Sequence, residues 1–231
     1  MKMKNLFSLF CAFICLFIFS GAASPVVNLK NYYFPYKNFF GETFYLFVNQ
    51  KDTSDINCWS MQTGIVGKDT ILSTIIYDKN DRISESMNEK ITASGSEMIS
   101  YEVLSNSNPD IPTYSECAIA ENSVFKWQMA QAESFRWLVK YTIAGTDVDF
   151  SKTRIFNGNV AGKDKSGEIM FGDTFSVTYY SLNKTPAAPI EYSQVSYYAL
   201  NKGLVRYTLT LPDKTVKDYV LKKVSKTKPT H

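Results

Sequence analysis

Residues 192–224 read YSQVSYYALNKGLVRYTLTLPDKTVKDYVLKKV. Two turn signals, NKG at 201–203 and PDK at 212–214, divide this stretch into three runs rich in residues that favour strands. In the middle run, polar residues alternate with four apolar ones, which are Val205, Tyr207, Leu209 and Leu211. A period of two is typical of a strand with one buried face, so the stretch predicts a three-stranded antiparallel meander.

The same pattern recurs upstream. The turn-forming residues at 78–81 separate two strand-like runs, and GKDKSG at 162–167 separates two more. Both segments are predicted hairpins, because short polar turns between β-branched and aromatic runs are typical of paired strands.

Residues 123–140 are open to two interpretations. Apolar and polar residues alternate in VFKWQMA and again in FRWLVKYTI, which favours a hairpin. A single amphipathic helix is the alternative, because alanine, glutamine and glutamate favour helices and Ser123 is a suitable cap.

About ten strands with short turns and no alternating helices predict a mainly β protein. We expect a strongly curved antiparallel sheet, a half-barrel or barrel, built from sequential hairpins. A flat sheet of this size would leave its apolar face in water, so it must roll up or be covered. The segment NPDIPTYSECAIAE at 108–121 is a candidate for a short covering loop or helix.

The first 23 residues are typical of a signal peptide. Lys2 and Lys4 precede an apolar run, LFSLFCAFICLFIFS, that is followed by the small residues GAA. The run is shorter than the ~20 residues that span a bilayer, although a retained anchor remains an alternative. Removal of this signal peptide, residues 1–23, would leave a periplasmic or secreted protein with no transmembrane span.

The remaining chain is predicted to form a single β-rich domain at 24–224 with a flexible basic tail at 225–231. Loss of Lys2 and Lys4 lowers the formal charge from +3 to +1, so no nucleic-acid partner is indicated.

Two cysteines follow the signal peptide, Cys58 and Cys117. Export permits a disulfide between them, and closing a loop of about 60 residues would stabilise the fold by about 4 kcal/mol in the chain-entropy model. Two free buried thiols are the alternative. The spacing excludes a CxxC redox motif.

The two ends of the predicted domain carry a family resemblance. The opening YYFPYKNFFGETFYLFV at 32–48 and the closing YYALNKGLVRYTL at 197–209 are similar to motifs of bacterial secreted proteins of unknown function. Those proteins resemble LolA-like, lipoprotein-carrier folds. The chain departs from the pattern at Tyr36, where leucine is usual, and at Phe44, where tryptophan is usual. The resemblance implies a curved antiparallel half-barrel whose concave face holds an apolar ligand.

The residue inventory excludes most catalytic chemistry. The one histidine is His231, which removes Ser-His-Asp triads, Cys-His pairs and histidine-containing zinc sites. We expect no cofactor, no metal and no enzyme activity. A histidine-free enzyme with a carboxylate pair is an alternative. Its candidate residues are Glu85, Glu89, Glu97, Glu102, Glu116 and Glu121.

Aromatic residues make up 15% of the chain, more than one core of this size requires. Adjacent pairs such as Tyr197 and Tyr198 must point to opposite faces of a strand, so one member of each pair is left for a ligand or a partner. The candidate ligand-binding residues are Tyr45, Trp59, Trp127, Trp137, Tyr180 and Tyr198. They favour a non-catalytic cell-envelope binding protein for a lipid or other apolar small molecule. The alternative is a structural or assembly factor that binds another envelope protein.

Overall fold

A computed structural model describes residues 25–35, 39–78, 80–105, 112–160 and 167–229. The predicted signal peptide and His231 lie outside these ranges.

Nearly all regular structure in these ranges is β. The strands are β1 (Val27–Asn28), β2 (Thr43–Asn49), β3 (Ile56–Val66), β4 (Asp69–Tyr77), β5 (Ile83–Ile91), β6 (Gly95–Leu104), β7 (Tyr114–Glu116), β8 (Ala118–Lys126), β9 (Gln128–Met129), β10 (Ser134–Ile143), β11 (Thr146–Asn159), β12 (Glu168–Tyr179), β13 (Ile190–Ala199), β14 (Gly203–Thr210) and β15 (Val216–Ser225). One helical turn, α1 (Lys30–Tyr33), follows β1. Within the described ranges, no helix has the length and apolarity of a membrane span.

Twelve strands close into an antiparallel barrel. Their order is β5-β4-β3-β2-β15-β14-β13-β12-β11-β10-β8-β6, and β6 pairs with β5 to complete the ring. The prediction of a mainly β, strongly curved antiparallel sheet is confirmed. The sheet closes completely, with more strands than the expected ten, so the half-barrel alternative does not apply.

The predicted hairpins are confirmed where the structure describes them. β13, β14 and β15 form the C-terminal meander, and β4 pairs with β5. β11 pairs with β12, although most of their GKDKSG connection lies outside the described residues. At 123–140 the chain forms strands, so the helix is wrong. β8 and β10 pair antiparallel as the hairpin interpretation requires, but the paired residues of β8 are 118–122, which precede VFKWQMA.

The middle strand of the meander differs from the simple alternation. Tyr197 lies opposite Arg206, but Tyr198 lies opposite Leu204, so Val205 is the extra residue of a β-bulge. Because of the bulge, the residues of β14 that face the barrel interior are shifted by one position along the strand. Leu204 therefore joins Tyr207 in the core, whereas Val205 is only half-buried.

An N-terminal segment, residues 25–35, closes one end of the barrel. β1 pairs with β9, and the Leu29 N–H donates to the Trp127 carbonyl at 2.7 Å. The Asn201 N–H, in the β13–β14 turn, donates to the Asn31 carbonyl at 2.9 Å. This segment has the covering role that was predicted for 108–121. That prediction was wrong for the described part of the range, because β7 and β8 belong to the sheet.

The predicted basic tail is anchored as far as residue 229. Lys226 donates to the Phe40 carbonyl at 2.8 Å. Lys228 forms an ion pair with Asp81 at 3.1 Å, and its ammonium lies 3.8 Å from the centre of the Tyr77 ring. These contacts place Lys226 and Lys228 against the barrel, and the flexibility of 225–231 stays a prediction.

Both cysteines are free and buried, so the predicted disulfide is absent and the alternative of two thiols holds. Cys58 lies on β3, whereas Cys117 lies between β7 and β8 and packs in the core around Tyr101. Burial raises the pKa of both thiols, which disfavours the reactive thiolate form.

Candidate ligand-binding cavity

The interior of the barrel contains a partly open cavity of about 320 Å³. Its walls are mainly aromatic and aliphatic side chains that project inward from strands around the ring, among them Phe47, Phe150, Tyr207 and Leu209. The volume is at the lower end of the roughly 300–1,000 Å³ typical of ligand pockets. A cavity of this size suits a compact ligand.

Four of the six predicted ligand-binding residues line this cavity: Tyr45, Trp59, Trp137 and Tyr198. Tyr45 and Trp59 lie opposite each other on the paired strands β2 and β3, whereas Trp137 and Tyr198 come from β10 and β13 elsewhere in the ring.

The other two predicted residues, Trp127 and Tyr180, do not line the cavity. Trp127 is buried beside the N-terminal segment, where its Nε1–H donates to the Thr92 carbonyl at 2.8 Å. Tyr180 follows the end of β12, and its hydroxyl donates to Asp149 at 2.9 Å. Both residues lie just beyond the end of a barrel strand, Trp127 after β8 and Tyr180 after β12, and neither ring reaches the cavity.

The tyrosine pair on β13 divides between the two faces of the sheet as predicted. Tyr198 is buried in the interior. The Tyr197 ring is half-buried, and the Arg206 guanidinium lies 3.4 Å from its centre. The exposed face of this pair is therefore occupied by a cation–π contact within the chain.

A layer of polar side chains crosses the interior between two apolar clusters. On β11, Lys152 and Arg154 lie between Phe150 of one cluster and Phe156 of the other. On the neighbouring β12, Asp173 lies directly opposite Arg154. The sequence contains the signal for this layer, because Lys152 and Arg154 are in phase with the apolar residues of their strand. The aromatic residues alone do not indicate this layer, because none of its members is aromatic.

Asp173 is the centre of this layer. The Arg154 Nε and Nη2 donate to its two oxygens at 2.7 and 3.0 Å, and the Ser196 hydroxyl donates to Oδ2 at 2.9 Å. The Lys152 ammonium lies 3.1 Å from the same oxygen. Burial alone would raise the pKa of Asp173, but the two cations lower it to about 2. The carboxylate is therefore ionised at neutral pH.

Of the two cations, Lys152 loses its proton more readily. Its pKa is lowered to about 8, mainly by burial and further by the neighbouring Arg154. Its ammonium also lies 4.8 Å from the centre of the Phe175 ring, on the wall of the cavity.

A second buried acid joins the N-terminal segment to the barrel interior. Glu89 on β5 accepts hydrogen bonds from the Tyr33 hydroxyl at 2.9 Å and from the Ser96 hydroxyl at 2.6 Å. The Tyr33 ring stacks on Phe125 with 4.1 Å between ring centroids. Burial raises the pKa of Glu89 from 4.5 to about 7 despite these hydrogen bonds.

Glu89 should make the protein less stable as pH rises from about 4.5 to 7. In this range the unfolded chain has released the Glu89 proton while the folded chain still holds it, so the slope of stability with pH is negative. The full difference is about 3 kcal/mol. Glu89→Gln should flatten this part of the profile in urea unfolding measured across the pH range.

The matched control is Glu102→Gln, which removes an exposed carboxylate from the neighbouring strand and should leave the slope unchanged. An unchanged slope in Glu89→Gln would contradict the assignment to this carboxyl.

No group of three or more histidine, cysteine, aspartate or glutamate side chains in the described ranges is arranged to hold a metal ion.

Comparison with known proteins yields little. No protein-family model matches the chain, and no curated protein sequence matches it. One solved structure is similar, a crystal structure described as a "putative lipoprotein from Parabacteroides distasonis ATCC 8503". It is 11% identical with a TM-score of 0.42, and the match covers 81% of this chain and 96% of that chain. The barrel interior is therefore the basis for a functional proposal.

Proposed function

We propose that this protein is a non-catalytic, exported binding protein of the cell envelope that holds an apolar or amphipathic small molecule inside its barrel. The observation that carries the proposal is the aromatic-lined cavity between the two core clusters. Export is supported by the typical signal-peptide pattern at 1–23.

The cavity can supply adequate affinity from its apolar walls. Burial of a methylene contributes about 0.8 kcal/mol, so a short acyl chain of about eight methylenes would gain about 6 kcal/mol. This corresponds to a Kd between about 1 mM and 1 µM before the costs of ordering and the gains from polar contacts. A short acyl chain or a compact ring system fits the volume better than a complete phospholipid.

Native mass spectrometry of protein purified gently from its own host tests this proposal. The expected spectrum contains an excess mass that disappears on denaturation. Thr74→Trp should abolish the excess, because Thr74 is buried on β4 and lines the cavity, where an indole would fill the ligand space.

The control is Ile75→Trp, which places the same indole on the other face of β4 and should leave the excess mass in place. A clean mass for the wild-type protein, with no binding of added amphiphiles, would overturn the proposal. Retention of the excess mass in Thr74→Trp would show that the bound molecule lies elsewhere.

A further inference from the structure

Lys152 has hydrogen-bonding capacity that the protein does not use. An ammonium group has three N–H donors. The ammonium lies 3.1 Å from Asp173 and 4.8 Å from the centre of the Phe175 ring, and no second hydrogen-bond acceptor contacts it among the described residues. Asp173 already accepts three hydrogen bonds from Arg154 and Ser196, so it has little capacity for more. The side chain of Lys152 is 15% exposed and lines the cavity, so its remaining donors are available to a ligand.

Glu85 has the complementary capacity. Its Oε2 accepts a hydrogen bond from the Tyr101 hydroxyl at 2.5 Å, whereas Oε1 has no partner in the described part of the chain. Glu85 also lines the cavity. The ring of Tyr101, whose hydroxyl donates to Glu85, has its centroid 6.4 Å from that of Phe150, and Lys152 lies two residues beyond Phe150 on the same face of β11. The apolar cavity therefore has one polar region with an unused donor and an unused acceptor.

The charges of this region disfavour a ligand that carries a net charge. Lys152, Arg154 and Glu85 line the cavity, and Asp173 lies against both cations, so the region holds two basic and two acidic side chains. An anionic head would lie beside the carboxyl of Glu85, and a cationic head would lie beside Lys152 and Arg154. An uncompensated charge in such a buried site is costly, whereas a neutral polar group can be satisfied by hydrogen bonds.

We infer that the ligand is a net-neutral amphiphile whose polar head accepts a hydrogen bond from Lys152 and donates one to Glu85, while its apolar body packs against the aromatic wall. A primary carboxamide has this combination of groups. The inference rests on the proposed function, because it assigns the head-group chemistry of the same cavity.

Isothermal titration calorimetry with three probes of equal chain length tests the head group. The probes are octanamide, octanoate and octylammonium, each titrated into the purified wild-type protein at neutral pH. Octanamide should bind about tenfold more tightly than either charged probe, because two satisfied hydrogen bonds and the absence of charge burial favour it.

Two variants then assign the polar contacts, because each should change the affinities of the two charged probes in opposite directions. Lys152→Met removes the donor and a positive charge, so it should weaken octanamide and octanoate and strengthen octylammonium. Glu85→Gln replaces the carboxyl with an amide that cannot carry a negative charge, so it should strengthen octanoate and weaken octylammonium. Lys140→Met and Glu102→Gln change the same charges at exposed positions and should leave all three affinities unchanged. Thermal unfolding of each variant verifies that it is folded.

Failure of this inference is distinguishable from failure of the proposed function. If octanoate or octylammonium bound to the wild-type protein as tightly as octanamide does, the inference would be overturned and the binding function would stay intact. Variants that remain folded but shift all three affinities in the same direction would overturn the roles of Lys152 and Glu85. No heat of binding from any probe, together with no copurified ligand, would overturn the proposed function itself.

Discussion

Asp173→Asn should lower the free energy of unfolding by about 3–5 kcal/mol, the loss expected when one partner of a buried ion pair is removed. The substitution preserves the shape of the side chain but leaves Arg154 and Lys152 inside the barrel without their counter-ion. Both cations are largely removed from water, since the Arg154 side chain is 5% exposed and the Lys152 side chain is 15% exposed. The measurement is urea unfolding followed by circular dichroism at neutral pH.

A matched exposed pair provides the control. Glu121 and Arg136 approach within 3.5 Å, and both side chains are 45% exposed. Glu121→Gln should therefore cost no more than about 1 kcal/mol. Adding Arg154→Met to Asp173→Asn should recover part of the loss, because the variant then buries one fewer unpaired charge. Equal losses in Asp173→Asn and Glu121→Gln would contradict the description of Asp173 as the counter-ion of a buried layer.

The same carboxylate predicts how stability changes in acid. The pKa of Asp173 is lowered from 3.8 to about 2 in the folded protein, so its stabilising contribution is complete above pH 4. It should be lost as the pH falls through about 2. Glu89 has the opposite sign, because its pKa is raised on folding. Maximal stability is therefore expected on the acidic side of neutrality.

The strands were predictable from local patterns, but the closure of the barrel was not. Alternation and turn residues correctly indicated the hairpins and the C-terminal meander. Closure depends on the pairing of β5 with β6 and on the total number of strands, which no short stretch specifies. The bulge at Val205 was hidden for a similar reason, because it is a register shift against Tyr197 and Tyr198 on the partner strand.

The aromatic cavity wall was partly predictable, whereas the polar layer was missed. Residue type and alternation identify inward-facing aromatic side chains such as Trp59 and Trp137. They do not reveal that Trp127 lies beyond the cavity at the closed end. Lys152, Arg154 and Asp173 were overlooked because charged residues are usually solvated. Their phase with Phe150, Phe156 and Phe171 was the available signal that each occupies an interior position.

Phe171→Ala should lower the free energy of unfolding by about 3–5 kcal/mol, because it leaves a void in a well-packed core. Phe171 is fully buried at the centre of the aromatic cluster. Its ring centroid lies 5.0 Å from that of Phe125, 5.2 Å from that of Phe156 and 5.7 Å from that of Tyr198. The Arg154 guanidinium lies 5.3 Å from its centre, so the substitution also weakens the polar layer.

Phe175 provides the matched control, because it lies two alternations along the same strand and lines the existing cavity. Its side chain is only half-buried, so Phe175→Ala enlarges a space that is already present and should cost clearly less than Phe171→Ala. In thermal unfolding, the larger loss should appear as a decrease in Tm of about 10 °C, given roughly 2–4 °C per kcal/mol for a chain of this size. Equal decreases for the two variants would indicate that the cavity beside Phe175 is filled in solution, because only a tightly packed site produces the full penalty.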